Sequence, residues 1–214
     1  TLYMKGDNYM RISDILLLTR ALYQKVSGRK ATLYIGMFLI GVLDIVFDIT
    51  PKWQDIFGGN SLENLIIKIL VTLIFVVIVG FVDVVFFAIP LFDLFKKFKK
   101  EEEISEPHNI QRIRLMKVYM LAHIVIVPVE IIIYAIVGDG SNLDYNFATY
   151  LAVLLALALP FWFAAAISRG IKSIYRFAPV FRGLVFIVVF IWTYALSYAF
   201  GFGIDWLMNL FYGL

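Results

Sequence analysis

The chain of 214 residues is too apolar for a soluble protein, because 62% of its residues are hydrophobic and only 16% are charged. A typical soluble domain is about one quarter charged, so this composition predicts an integral membrane protein without room for a separate soluble catalytic domain. The net charge of +3 comes from Lys and Arg that flank apolar stretches, a pattern that favours the lipid bilayer as partner and excludes nucleic acid.

The first 30 residues are predicted to be a cytoplasmic amphipathic segment. Between residues 12 and 26, apolar side chains recur at helical spacing and the charged ones lie mostly on the opposite side. This pattern predicts a helix that lies on the inner leaflet. Gly28 is expected to end the helix, and Arg29 and Lys30 mark the headgroup level.

Residues 31–214 are predicted to form an all-α, polytopic transmembrane bundle of five helices. About 20 apolar residues cross the hydrocarbon core of a bilayer. The predicted spans cover about 31–50, 66–92, 118–137, 146–167 and 183–203. The second apolar stretch is longer than one crossing, and Pro90 is the residue at which a break is expected.

The distribution of positive charge predicts the orientation of the chain. Seventeen of the nineteen Lys and Arg residues lie in three polar segments, and these alternate with segments that are almost free of positive charge. Because Lys and Arg remain on the cytoplasmic side, the N-terminus is expected inside and the C-terminus outside. The basic segments also predict attraction to anionic lipids at the inner face.

Four ionisable residues inside the spans form the candidate site: Asp44, Asp83, His123 and Glu130. An ionised side chain at bilayer depth costs about 2.5–3.5 kcal/mol, so each one needs a physical reason to be there. Counted from the span centres, all four lie in one slab about 10 Å thick. His123 and Glu130 are two helical turns apart and share a face of the third span, with Pro128 between them.

If these faces meet, three carboxylates and one imidazole form a buried cluster that would hold a cation or pass a proton. Carboxylates suit hard cations, and a His beside acids also suits a transition metal. All four residues are therefore predicted metal ligands, and a bound cation is the only cofactor that the sequence suggests. An alternative interpretation is equally open, in which protonated carboxyl groups join helices by hydrogen bonds and have no ligand.

Two stretches give the chain a family resemblance. The N-terminal segment ISDILLLTRALYQKVSGRK, followed by five closely spaced spans, and the central stretch RLMKVYMLAHIVIVPVEIIIYAI are similar to the prokaryotic branch of the Yip1 family of membrane proteins. The DLYGP-type motif of eukaryotic members is missing, so no Rab-linked trafficking role follows. The resemblance implies a noncatalytic protein of a prokaryotic plasma membrane, with a role in membrane organisation or transport, and it assigns no site residues.

Three functional hypotheses follow. In the first, a noncatalytic Yip1-like protein binds or translocates a cation or proton at the buried cluster. In the second, a membrane scaffold recruits partners or lipid through its amphipathic N-terminus and its basic loops. The third, an intramembrane enzyme that uses His123, has less support because the sequence contains no HExxH, Walker or GxGxxG pattern. A homo-oligomer is also open, since small residues at Gly36, Gly41, Gly80 and 164–166 allow close helix packing between chains or within one.

Overall fold

The computed structural model describes residues 18, 22–23, 26–58, 61–98, 107–137, 146–175 and 177–212. Five long helices account for most of them: α1 (Lys30–Ile49), α2 (Leu62–Phe98), α3 (His108–Val137), α4 (Phe147–Ile174) and α5 (Pro179–Tyr212). A single 3-10 turn, Thr50–Lys52, and a short helix, Trp53–Phe57, connect α1 to α2. All five long helices are long and apolar enough to cross a membrane, which confirms the predicted all-α bundle of five spans.

Four of the five helices are longer than the predicted spans, whereas α1 has the predicted 20 residues, and α2 is the longest helix. Its 37 residues correspond to about 55 Å, well beyond the roughly 30 Å of bilayer hydrocarbon. The helix continues through Pro90 to Phe98, so the predicted break at Pro90 is wrong. Proline removes one backbone donor, but helices in membranes tolerate this loss when neighbouring groups satisfy the freed carbonyl.

All five helices contribute to one main core. Helix α1 packs along α2, α3 along α4, and α4 along α5, while α3 also contacts α1 and α2. Each helix supplies at least one fully buried side chain to this core; examples in chain order are Ile40, Phe87, Leu115, Ile167 and Val189. The apolar stripes of the five helices therefore meet in the interior, and their other faces expose large apolar side chains that suit lipid.

Positive charge is concentrated at one end of the bundle. Contacts such as Phe92 with His108 and Phe98 with Phe181 bring together the end of α2 and the starts of α3 and α5. We call this the basic end, and its residues are Arg29, Lys30, Lys96, Lys97, Arg112, Arg114, Lys117, Arg169, Lys172 and Arg182.

The opposite end, here called the far end, contains the connection from α1 to α2 and the end of α5. Lys52 lies 3.5 Å from Asp205 across these two elements. The Lys68 ammonium donates to the carbonyl of Ile56 at 2.5 Å, so this side chain reaches toward the far end.

Most of the predicted amphipathic helix at residues 12–26 lies outside the described residues. Of this segment, Leu18 and Tyr23 are buried in the main core, and the Tyr23 ring packs against Gly170 of α4. Burial raises the pKa of the Tyr23 phenol, although the nearby Arg169 opposes the shift. The described part of the segment thus contacts the bundle itself at the basic end.

Candidate functional site: a membrane-embedded cavity lined by acids

Asp44 and His123 form an ion pair between α1 and α3. His123 Nε2 lies 3.0 Å from Asp44 Oδ1, and both side chains are about one sixth exposed. Asp44 follows Ile40 by one helical turn on the buried stripe of α1, which explains why the carboxylate faces the other helices instead of lipid. The pair carries a positive imidazole only when His123 is protonated.

Asp83 is the most deeply buried of the four predicted residues, with only 4% of its surface exposed. The hydroxyl of Tyr119 on α3 donates to this carboxylate, with Oη 2.9 and 2.8 Å from the two carboxylate oxygens. The Tyr119 ring stacks on Phe87, which lies one turn after Asp83 on α2, at a centroid distance of 4.0 Å. Stacking and hydrogen bonding together fix the position of the Asp83 carboxylate.

One face of α3 presents most of the polar groups. Tyr119 and His123 are one turn apart, with ring centroids separated by 5.7 Å, and Glu130 follows two turns later. Within the described part of the chain, the Glu130 carboxylate has no hydrogen bond or ion pair in the structure. Glu130 is therefore the acid on this face that is least committed to a protein partner.

All four predicted residues line a single cavity of about 650 Å³. Each of the five long helices contributes to its wall. The polar lining comprises Asp44, Asp83, Tyr119, His123, Glu130, Thr193 and Ser197, and the aromatic lining comprises Phe47, Tyr134, Phe163, Tyr194, Tyr198 and Phe200. The cavity extends from Asp83 and Tyr119 near the middle of the bundle to Val137 and Ile204 near the far end.

The structure thus brings the four predicted residues to one cavity, but it does not join them into a single cluster of contacts. Asp44 is held by His123 and Asp83 by Tyr119. Among the residues that the structure describes, no group of three or more His, Cys, Asp or Glu side chains is close enough to share a metal ion. The assignment of Asp44, Asp83, Glu130 and His123 as metal ligands remains a prediction.

Three polar side chains that line the cavity were missed by the sequence analysis. Tyr119 precedes His123 by one helical turn, so a search for polar side chains on the His123 face would have found it. Thr193 and Ser197 on α5 also line the cavity, and their spacing of one turn is the only local signal that they carry. Ordinary hydroxyl residues in a span give no indication of which neighbour they face.

Comparison with protein-family models, with curated proteins and with solved structures gives no match. The resemblance to the Yip1 family therefore remains a prediction from the sequence pattern.

Proposed function

We propose that this chain is a noncatalytic, Yip1-like integral membrane protein that binds a proton or small cation at the Asp44–His123 pair and moves it in a transport cycle. The observation that carries the proposal is the 3.0 Å contact between these side chains in the wall of a cavity that all five helices share. Ionisable groups inside a membrane commonly mark proton or ion paths.

The chemistry of the pair favours a proton over a directly bound metal. Imidazole changes its charge near neutral pH, and a carboxylate in contact with it responds to that change. Because Asp44 and Asp83 each have their own partner, a metal would first have to displace those partners. A proton is exchanged without such a rearrangement, so we place proton binding first and a small cation second.

An intramembrane enzyme would use the same cavity but would need His123 to activate a nucleophile. In this structure His123 Nε2 contacts the Asp44 carboxylate, and the His123 ring also contacts Tyr119 and Phe163 edge-on. This environment supports proton binding. For the complete protein we further propose a cytoplasmic N-terminus in a prokaryotic plasma membrane, with anionic lipids at the basic end.

Histidine NMR offers a direct test of proton binding. The chain has only two histidines, and the second, His108, is exposed at the start of α3, so it serves as an internal reference. In protein labelled with [¹⁵N]histidine, we expect the replacement Asp44→Asn to change the titration of His123 between about pH 5 and 8 and to leave that of His108 unaltered. Asp205→Asn, which removes the exposed carboxylate near Lys52, is the matched control and should change neither titration.

Transport is tested separately in proteoliposomes that contain a pH-sensitive dye. An imposed membrane potential should drive protons through the wild type and the Asp205→Asn control, and Asp44→Asn and His123→Gln should abolish this flux. An unchanged His123 titration in Asp44→Asn would exclude the pair as the proton-binding unit. A changed titration without any flux would restrict the proposal to binding.

A further inference from the structure

The cavity is much larger than a proton or a monatomic cation requires. Its volume of about 650 Å³ compares with roughly 30 Å³ for one water molecule and falls within the range of roughly 300–1,000 Å³ that is usual for organic ligands. The size of the cavity therefore indicates an organic molecule as a second occupant.

The charges that line the cavity favour a positive ligand. Three carboxylates, from Asp44, Asp83 and Glu130, face one imidazole, and none of the described lining residues is Lys or Arg. In a low-dielectric interior, unbalanced negative charge is costly, and a bound cation reduces that cost. Glu130 is the natural contact, because its carboxylate has no partner within the described residues.

The remaining wall suits an apolar or aromatic body. Phe163 lies beside the acidic end, with its ring centroid 5.8 Å from that of Tyr119 and 6.1 Å from that of His123. Farther along, Phe47 and Tyr134 meet edge to face at 5.6 Å. Aromatic faces attract ammonium groups as well as apolar surface.

The surface of α5 provides access from the membrane. Tyr198 lines the cavity and is nevertheless 79% exposed, so the cavity reaches the outer surface of the molecule along this helix. A ligand that partitions into lipid with its apolar part could enter here and place its charged group toward the acids.

From these four features we infer that the cavity binds an amphipathic organic ammonium ion, with its ammonium group near Glu130 and Asp44 and its apolar body along Phe163 and the α5 tyrosines. The inference rests on the proposed function, since the ammonium ion would replace the proton held by the Asp44–His123 pair. Binding of the ammonium ion then releases a proton, and the net charge of the cavity is conserved.

Proton release in weakly buffered detergent solution, followed with a pH indicator dye, tests this exchange. The probes are phenethylammonium chloride, its neutral analogue 2-phenylethanol, and sodium chloride at the same concentration. We expect saturable proton release with phenethylammonium alone. Glu130→Gln should weaken the apparent affinity by about tenfold or more, because it removes a buried charge from the ammonium contact. The Asp205→Asn control should bind as the wild type does.

Three outcomes overturn the inference, and a fourth overturns only the proposed function. Equal proton release with 2-phenylethanol would show that the response does not depend on a positive charge, and equal proton release with sodium chloride would show a site for small ions. If no probe binds but the titration of His123 still depends on Asp44, the ammonium site is refuted and the proposed function stands. If phenethylammonium binding is lost in Glu130→Gln but the titration of His123 does not depend on Asp44, only the proton site is refuted. Folding is checked by size-exclusion chromatography of each variant.

Discussion

Lys117 is a buried cation that oxygen atoms of neutral groups hold in place. It lies on α3 at the basic end and is only 8% exposed. Its ammonium donates to the carbonyls of Ser27 and Arg29 at 2.7 and 2.8 Å and to the Thr32 hydroxyl at 2.6 Å. One side chain of α3 thus holds Ser27 and Arg29, which precede α1, and Thr32 in the first turn of α1.

The replacement Lys117→Met should destabilise the protein by about 2 kcal/mol or more, because it removes a charged donor that several oxygen atoms share. The midpoint of thermal unfolding, followed by tryptophan fluorescence in detergent, should fall by roughly 4–8 °C. Lys97→Met is the matched control, since Lys97 is exposed near the end of α2 and its loss should change the midpoint little. Equal midpoints for the two variants would show that the Lys117 hydrogen bonds contribute no net stability.

At the scale of elements, the contact between α1 and α2 positions two of the acids. The backbones of these helices approach each other most closely at Gly41 and Gly80, where an added Cβ would overlap the carbonyl oxygen of Val76 or of Met37 respectively. Asp44 and Asp83 each follow one of these glycines by three residues. The glycine contact therefore sets how far apart the two carboxylates lie, and these small residues serve packing within the chain.

The replacement Gly80→Ala should separate α1 from α2 and destabilise the bundle by about 1–3 kcal/mol through overpacking. Gly203→Ala is a matched control, because a Cβ at that position in α5 meets no atom within 4 Å. Thermal unfolding compares their stability, and histidine NMR shows whether the separation reaches the Asp44–His123 pair. A Gly80→Ala protein as stable as the control, with an unaltered His123 titration, would mean that the contact accommodates the methyl group freely.

Hydropathy was sufficient to predict the five helices but not their ends. The first ten residues of α3, 108–117, are too polar to cross lipid, yet they continue the helix, since hydropathy reports contact with lipid and not backbone conformation. The spans place Asp44 and His123 within one slab about 10 Å thick, and their 3.0 Å contact agrees with a common level along the bundle. Their pairing, and the separate pairing of Asp83 with Tyr119, depends on how the helices are rotated about their axes, which the side chains of five helices determine together.

For the molecule as a whole, the cavity and the positive charge occupy opposite halves. The basic end carries nearly all of the described Lys and Arg, and the cavity extends from the middle of the bundle toward the far end. If Lys and Arg mark the cytoplasmic side, the cavity faces the outside. A ligand would then meet the acids from the external half of the membrane, and Lys117 would lie on the cytoplasmic side of them.

This orientation can be measured with single cysteines, because the natural chain contains none. Gln54→Cys places a thiol on the exposed connection at the far end, and Asn109→Cys places one at the exposed start of α3 at the basic end. In intact bacterial cells, a membrane-impermeant maleimide should label the first variant and should label the second only after permeabilisation. The reverse pattern would place the basic end outside and turn the cavity toward the cytoplasm, so that any ligand would have to reach the acids from within the cell. Labelling of both variants in intact cells would indicate two orientations, and neither side could then be assigned to the cavity.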